Sequence, residues 1–397
     1  FQAILQDESR LIDGVLFVKA RERGLPFLNG VLDLATGRLR AYRESDYYCD
    51  PIPHSFSESL RLTDIREFRK IVCEWVGPKN AGWFVDLTAY LLFMHPNVEN
   101  IWVNPFGTGR NGKSTYIALL EEILGKTKSI GITLSDLNRH TSASFIGKSL
   151  IVGRDSDQFV SKRGISLIKN YSGDKYVIVE PKGGFQYDAL VEGKLVISTN
   201  YLVRSQDRSF GWFRRLLPVA FPNTFPQNPT FEKDLYRRIP SIITYLVRRI
   251  LKYKRGKIAK LVERIPRDIQ VLRLDTQFLN DRVAAFWDLE FFDEDGTPIV
   301  DQFLKLDQQQ ISVIWDKFKA WHQEYFGDEE KVEPGRNTFC GPYGAFLEKA
   351  SDYFDTERTR NGRLLLLKPE KKEELLAITH TEPTPETDPD LFPLNPS

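Results

Sequence analysis

The segment from residue 107 to residue 115 carries the clearest chemical pattern in the sequence, Gly-Thr-Gly-Arg-Asn-Gly-Lys-Ser-Thr. In a phosphate-binding loop, glycines let backbone N–H groups converge on phosphate oxygens, a lysine reaches the β and γ oxygens, and a hydroxyl ligates Mg²⁺. The residues predicted to bind ATP with Mg²⁺ are Gly107, Thr108, Gly109, Arg110, Asn111, Gly112, Lys113, Ser114 and Thr115, with Ser114 as a metal ligand. A plain glycine-rich turn is the competing interpretation.

The flanks of this segment favour the phosphate site. Residues 100 to 104 have the pattern of a short buried strand, and residues 115 to 124 are apolar at helical spacing up to Gly125. The order of strand, loop and helix is the one that a phosphate-binding loop requires.

A pair of acids follows the next predicted strand. The apolar run 149 to 152 leads into Gly153-Arg154-Asp155-Ser156-Asp157, which places two carboxylates just past the carboxyl end of a strand. Ligands bind at that edge of parallel sheets. We expect Asp155 or Asp157 to hold Mg²⁺ and the other to polarise the attacking water. A two-metal polymerase or primase site, for which no catalytic histidine lies nearby, and a surface turn are the alternatives.

Other segments supply groups that triphosphate hydrolysis uses. A second buried strand pattern, 194 to 199, ends at Asn200, whose amide can contact the γ-phosphate or its water; a strand-ending asparagine is the alternative. Arg214 and Arg215 precede a further apolar strand. Arginine stabilises charge on a phosphoryl group in transfer, often from a neighbouring subunit, although paired arginines are as common as plain surface charges.

Composition limits the class of protein. The 397 residues are 41% hydrophobic, which is enough for two or three folded domains. Three scattered cysteines and five isolated histidines predict no zinc cluster and indicate a reducing, intracellular setting. No apolar run reaches membrane-spanning length and no secretory signal is present, so we expect a soluble cytoplasmic protein without membrane contact. Because the sequence begins at Phe1, we expect a piece of a longer chain.

The net charge of +1 hides an uneven distribution. Nine basic residues between Arg248 and Arg267 accompany a single acid, Glu263, and the last seventeen residues carry only acidic charges. The solvated face of a helix and a surface that contacts phosphates explain the basic stretch equally well.

The element patterns divide the chain into five predicted parts. Helical periodicity runs from residue 65 to residue 94, and strands alternate with helices after it, as in a parallel α/β sheet. The predicted parts are a mixed and helical N-terminal assembly region (1–97), a nucleotide-binding core (98–222), a basic helical region (223–267), a smaller mixed C-terminal domain (268–380) and a poorly packed acidic, proline-rich tail (381–397).

Several ordered segments resemble the superfamily 3 helicases of the phage and plasmid primase type, which are related to the poxvirus primase-helicase. The core segments are FGTGRNGKST (106–115), GKSLIVGRDSD (147–157), IKNYSGD (168–174), GKLVISTN (193–200) and DRSFGWFRRLLPVAFP (207–222). LPFLNGVLDLATGRLR (25–40) resembles the segment that precedes the helicase in this family, and GRNTFCGPYGAFLEKA (335–350) is similar to a winged-helix-like C-terminal module.

This resemblance implies a ring-forming ATPase with an AAA+-like α/β core around a parallel central sheet, a helical N-terminal region and a small winged-helix-like C-terminal domain. It implies that Lys113 and Ser114 bind phosphate and Mg²⁺ and that Asn200 is the sensor. It also implies that Arg215, with Arg214, reaches the ATP of a neighbouring subunit. The family usually has glutamate where Asp155 stands, so the division of labour between the two aspartates stays open.

Between the acidic strand and the sensor strand, the family places a hairpin that tracks single-stranded DNA. The matching segment here is 176 to 185. Lys182 can meet a phosphate, Gly183 and Gly184 allow close backbone approach, and Phe185 can stack on a base. A plain exposed hairpin is the alternative. In the C-terminal domain, an arginine-rich hairpin near residue 361 could contact phosphates or simply be exposed.

The expected activity is that of an ATP-dependent replicative DNA helicase. We expect a homo-oligomer, a hexamer, that acts on single-stranded or forked DNA and is covalently linked to an upstream primase or primase-polymerase, in a phage or plasmid replication protein. A non-helicase AAA+ motor or remodelling ATPase and an ATP-assembled origin-binding or scaffold protein are the alternatives.

Overall fold

The computed structural model describes residues 24–379 apart from residues 44, 45, 47–49, 96, 135, 136, 138–141, 174, 175, 181–183, 192, 206, 208, 294, 295, 328–331, 333, 342, 343 and 361. The chain forms two compact units, the first ending at Asn280 and the second beginning at Asp281. The finer domain boundaries predicted above stay predictions, and the tail 381–397 lies outside the described residues. None of the described helices is long and apolar enough to cross a membrane.

The first unit mixes strands and helices. Its strands are β1 (Gly24–Phe27), β2 (Gly30–Asp33), β3 (Leu39–Arg40), β4 (Trp102–Phe106), β5 (Ser129–Ile132), β6 (Leu150–Ser156), β7 (Phe159–Val160), β8 (Tyr176–Val179), β9 (Tyr187–Leu190), β10 (Lys194–Thr199), β11 (Arg204–Ser205) and β12 (Leu216–Ala220). Its helices are α1 (Leu62–Val76), α2 (Pro78–Phe93), α3 (Lys113–Leu124), α4 (Lys162–Gly173), α5 (Phe210–Phe213), α6 (Phe231–Tyr236), α7 (Ile239–Lys254) and α8 (Arg267–Asn280).

A five-stranded parallel sheet in the order β12-β4-β10-β6-β5 forms the core of the first unit. This sheet confirms the predicted α/β fold with a parallel central sheet. Every residue of β10 is buried, because both faces of a parallel sheet are covered. β10 lies between β4 and β6, so the carboxyl ends of these strands are neighbours although they are far apart along the chain.

The N-terminal helical region consists of two helices, whereas the periodicity predicted a continuous stretch from Ile65 to Met94. The break is at Gly77, which has φ +82°, and Pro78 begins α2. A glycine with positive φ ends a helix readily, and proline is favoured at the first helical position. The apolar pattern continues across the break, so periodicity alone does not reveal it.

A buried carboxylate joins the helices of this region. Asp86 of α2 is 6% exposed. It receives two hydrogen bonds from the guanidinium of Arg249 on α7, of which Nη2 to Oδ2 is 2.7 Å long. Nη2 of Arg264 lies 2.8 Å from the same Oδ2. The single negative charge is therefore shared by two guanidinium groups.

Part of the basic stretch serves the fold. Arg248 donates to the carbonyl of Glu58 at 2.6 Å, and Arg255 donates to the carbonyl of Thr36 at 3.1 Å. Together with the two partners of Asp86, at least four of the nine basic residues hold other parts of the same unit. Arg248 and Arg255 are also exposed, as on the solvated face of a helix, and contact of this stretch with phosphates stays a prediction.

The second unit is mainly helical with a β-hairpin. Its elements are α9 (Arg282–Phe291), α10 (Val300–Leu306), α11 (Ile311–Phe326), α12 (Arg336–Cys340), α13 (Ala345–Ala350), β13 (Phe354–Thr359), β14 (Gly362–Leu367) and α14 (Pro369–Thr379). Its core is aromatic; for example, the ring centroids of Phe286 and Phe318 are 5.4 Å apart. The predicted arginine-rich hairpin is β13 and β14, in which Arg358 and Arg363 are cross-strand partners beside the exposed Arg360.

Asp86→Ala should lower the free energy of unfolding by about 2–3 kcal/mol, because it leaves two guanidinium groups without their carboxylate. The loss is smaller than for a fully buried pair, since the side chains of Arg249 and Arg264 are 28% and 26% exposed. Urea unfolding measures the difference. The control is Asp234→Ala, which removes a surface pair with Arg237 and should cost no more than about 0.5 kcal/mol. Equal losses for the two variants would contradict the structural role of Asp86.

Candidate functional site

The phosphate-loop segment lies between the carboxyl end of β4 and the start of α3. β4 ends at Phe106, and α3 begins at Lys113. The connecting backbone has φ +88° at Gly112 and φ +151° at Gly107, conformations that glycine adopts readily and other residues resist. The strand, loop and helix thus follow in the order that the sequence pattern predicts, with the loop N-terminal to a helix of 12 residues.

The side chain of Lys113 is folded back onto the loop. Its Nζ donates to the carbonyl of Gly107 and, at 3.1 Å, to Oδ1 of Asn111. The residue is only 2% exposed. Burial lowers the pKa of its ammonium group, and the carboxylate of Asp155 opposes this fall. The lysine is therefore held within the loop, where the nearby Asp155 favours its charged form.

Residues distant in sequence fix the shape of the loop. The indole of Trp75 on α1 packs against Gly112 so closely that an added Cβ would lie 2.6 Å from its Cδ1. On another side, the carbonyl of Phe221 accepts a 3.2 Å hydrogen bond from Nδ2 of Asn111. The roles of Trp75 and Phe221 were not predicted, because a contact between separate elements leaves no local pattern in the sequence.

The acidic strand contains a β-bulge. Asp155 was predicted to lie past the end of the acidic strand. This was wrong, because β6 extends to Ser156 and Asp155 lies inside it. The register between β6 and β10 shifts between Ile197 and Thr199, so Arg154 and Asp155 together oppose Ser198. Asp155 has φ +45°, which is unusual for a residue other than glycine. Bulges redirect side chains and are frequent beside active sites.

Hydrogen bonds hold the bulge from both sides. The hydroxyl of Ser198 donates to the carbonyl of Gly153 at 3.2 Å and accepts from the N–H of Asp155 at 3.3 Å. Arg154 forms an ion pair with Glu121 of α3, the helix that follows the loop. These contacts keep the exposed carboxylate of Asp155 in the surroundings of Lys113.

Asp157 also lies at this edge of the sheet, where it is exposed just after β6. Within the described parts of the chain, it forms no hydrogen bond or ion pair. The acid that bears on the charge of Lys113 is Asp155.

Asn200 follows β10 directly and is exposed. Because β10 pairs with β4 and β6, Asn200 lies at the sheet edge between the loop and the acidic bulge. Nδ2 of Asn104 on β4 donates to Oγ1 of Thr199 at 2.9 Å and to the carbonyl of Ile197 at 2.8 Å, which ties the ends of the two strands. Asn104, which is fully buried, was missed as a positioning residue, although an asparagine within an apolar strand pattern is a signal that could have found it.

The paired arginines have different surroundings. Arg214 is exposed. Arg215 is half-buried, donates to the carbonyl of Gly211, and lies against Gly173 at the end of α4, where an added Cβ would be 3.3 Å from its Cζ. The resemblance implied that Arg215, with Arg214, reaches a second subunit. In this geometry the side chain of Arg214 is exposed and that of Arg215 packs on its own unit, and the role of each stays a prediction.

The predicted hairpin is present as the antiparallel pair β8 and β9. Lys182 and Gly183 lie outside the described residues. Gly184 is exposed, and the ring of Phe185 is 94% exposed. A phenylalanine so fully in solvent presents both ring faces to a ligand.

The oxygen-bearing groups at this edge fit Mg²⁺. The hydroxyl of Ser114 is exposed in the first turn of α3, and the carboxylate of Asp155 is exposed beside the loop. Mg²⁺ commonly takes one or two protein oxygens and completes its shell with water and substrate phosphates. The described residues contain no group of three or more His, Cys, Asp or Glu side chains that could hold a metal, so phosphate oxygens would have to supply part of the shell.

Comparisons with known proteins give the following similarities. Residues 106–215 match the model of a family described as a family of unknown function, DUF5906. The apo structure of the NrS-1 C-terminal region is 11% identical, with 79% of this chain and 76% of that chain covered and a TM-score of 0.47. A JCV helicase solved with a bound N-phenylacetamide compound is 14% identical, with 55% and 66% covered and a TM-score of 0.32. The family description assigns no activity, so a function for this chain depends on its own site.

Gly112→Ala should weaken Mg²⁺–nucleotide binding at least tenfold, which corresponds to about 1.4 kcal/mol, because alanine resists φ +88° and its Cβ would overlap Trp75. Titration with a fluorescent ADP analogue measures the affinity. Gly131→Ala is the matched control, since an added Cβ at Gly131 has nothing within 4 Å. Equal affinities of the two variants would show that the loop does not need this conformation.

Proposed function

We propose that this chain is an ATP hydrolase that works as a ring-forming helicase on single-stranded DNA. The observation that carries the hydrolase is the meeting of the phosphate loop, Asp155 and Asn200 at one edge of the parallel sheet. The helicase assignment is supported by the ordered segments that resemble superfamily 3 helicases and by the exposed aromatic ring on the β8–β9 hairpin.

In this proposal the loop binds the triphosphate of ATP. Lys113 exchanges its bonds with Gly107 and Asn111 for bonds to phosphate oxygens, an exchange that charge-assisted hydrogen bonds favour. Ser114 and Asp155 hold Mg²⁺, which when bound neutralises charge on the phosphoryl group. Before ATP binds, the carboxylate of Asp155 partly balances the positive charge of Lys113.

The other polar groups at this edge act on the water that attacks the phosphate. Asn200 orients this water through its amide, and Asp157, free of other bonds in the described chain, accepts its proton. This division gives metal binding to the acid on the bulge and proton transfer to the acid beyond the strand. Asp155 and Asp157 thereby take the two roles that their sequence pattern leaves undivided.

Arg214 acts across a subunit boundary in this proposal. Exposed arginines can stabilise charge on a phosphoryl group bound by a neighbouring molecule, and Arg215 positions the segment by packing on Gly173. The active form is then a homo-oligomer, which we propose to be a hexamer. The resemblance further suggests a covalently linked upstream primase or primase-polymerase and a place in phage or plasmid replication in the host cytoplasm.

Single-stranded DNA contacts the β8–β9 hairpin in this proposal. Phe185 stacks on a base, and Lys182 meets a backbone phosphate. Stacking on an aromatic ring tolerates every base, as translocation along DNA of any sequence requires.

ATP hydrolysis with and without single-stranded DNA tests the proposal. We expect DNA to stimulate the wild type, and Lys113→Ala and Arg214→Ala each to lose at least about a hundredfold in rate, since each removes charge stabilisation of the phosphoryl group. An equimolar mixture of the two inactive variants should regain part of the activity, because a mixed ring contains sites with an intact loop and an intact arginine. Arg237→Ala, which removes another exposed arginine, is the control.

The alternatives predict different outcomes of the same assay. Hydrolysis that ignores DNA would favour a remodelling ATPase. Negligible hydrolysis by the wild type would favour an ATP-assembled scaffold. If Arg214→Ala is active and Arg215→Ala is not, the assignment of the two arginines is reversed.

Phe185→Ala should weaken binding of a fluorescent single-stranded oligonucleotide by about 5- to 150-fold, the effect of losing one stacked base at roughly 1–3 kcal/mol. Phe185→Trp should restore binding, because its ring also stacks. Ile178→Ala is the matched control, since Ile178 is an exposed apolar residue of the same hairpin, 61% accessible. Fluorescence anisotropy gives the affinities. Equal effects of Phe185→Ala and Ile178→Ala would argue against stacking.

A further inference from the structure

A recess of about 160 Å³ lies among α1, α2 and α7 of the first unit. It shares no residue with the phosphate loop. Its volume is well above the roughly 10–15 Å³ that a single water molecule needs. The residues of its lining that matter here are Arg69, Val72, Gly82, Val85, Tyr245 and Arg249.

Three hydrogen-bond donors from two helices border this recess. Arg69 belongs to α1, and Tyr245 and Arg249 lie one turn apart on α7. Asp86 occupies Nε and Nη2 of Arg249, which orients the guanidinium and leaves Nη1 for another partner. Within the described parts of the chain, no carboxylate pairs with Arg69 and no hydrogen bond engages the hydroxyl of Tyr245.

The charge around the recess is positive. Asp86 shares its single negative charge between Arg249 and Arg264, so this trio keeps one net positive charge. Arg69 adds another, and no acidic side chain lines the recess. The remaining wall is apolar, from Val72 and Val85, and supplies no further charge.

The recess is open to solvent where α2 carries Gly82, which is exposed. An added Cβ at Gly82 would have nothing within 4 Å. The space at this point is thus unfilled by neighbouring side chains, so an anion can enter the recess there.

We propose that this recess is a second phosphate-binding site. Arginine forks bind phosphate through paired hydrogen bonds, and a phosphate offers more acceptor oxygens to converging donors than a carboxylate does. The phosphate belongs either to a small phosphorylated molecule or to a DNA backbone. The inference is independent of the proposed activity, because none of these residues belongs to the candidate hydrolase site.

Binding of inorganic pyrophosphate tests the site. The titration is made by calorimetry in the Lys113→Ala background, which weakens binding at the phosphate loop, and at constant ionic strength. Arg69→Ala and Tyr245→Phe should each weaken the affinity, Arg69→Ala by at least about tenfold because it removes a charged donor. Both positions are at least partly accessible, so the variants should fold. The control is Arg66→Ala, which removes the same charge from the same helix outside the recess.

Anisotropy of a fluorescent single-stranded oligonucleotide, measured with the same variants, separates the two sources of phosphate. If Arg69→Ala weakens both pyrophosphate and DNA, the recess holds a backbone phosphate. If it weakens pyrophosphate alone, the site takes a small phosphorylated molecule. If Arg69→Ala and Tyr245→Phe bind pyrophosphate as tightly as Arg66→Ala does, the proposal is overturned.

Discussion

The hydrogen bonding of β10 between β4 and β6 is the constraint on which the candidate site depends. It places the end of the loop-bearing strand, the strand that precedes Asn200 and the acidic strand next to one another. Groups from segments about a hundred residues apart in sequence therefore share one edge of the sheet. Asn104 reinforces the arrangement, because its buried amide bonds to the carboxyl end of β10. Without this strand order, the phosphate loop would have no acid beside it.

The site departs from regular structure at the point where chemistry is proposed. In a regular strand, the side chain of Asp155 would face the side set by the alternation of side chains along β6, but the bulge shifts this alternation. The hydroxyl of Ser198 forms hydrogen bonds where the regular backbone bonding between β6 and β10 is interrupted. In the adjoining loop, the buried Lys113 donates hydrogen bonds to the carbonyl of Gly107 and the amide oxygen of Asn111. Such local departures from regular structure lower stability. They persist because the surrounding sheet stabilises the fold. The rigid part is the buried β10 and the packing of Trp75 under the loop.

The sequence predicted what is encoded locally. The spacing of the phosphate loop, the apolar strands and the position of Asn200 at a strand end are patterns of neighbouring residues, and the parallel sheet follows from their alternation with helices. Other features depend on pairings between distant segments. They are the bulge at Asp155, the contact of Trp75 with Gly112, and the bonds that Arg249 and other basic residues form within the same unit. Arg214 and Arg215 are adjacent in the sequence but differ in burial, because Arg215 packs against the end of α4. A local sequence pattern does not predict this contact.

The role of the bulge in placing Asp155 is tested by a double-mutant cycle in ATP hydrolysis with Ser198→Ala and Asp155→Asn. The unfolding temperature of each variant is the check on folding. We expect Ser198→Ala to slow hydrolysis at least about tenfold and the double variant to be no slower than Asp155→Asn, because the hydroxyl acts through the position of that carboxylate. A wild-type rate for Ser198→Ala, or effects that multiply in the double variant, would show that the bulge does not place the proposed metal-binding carboxylate of Asp155.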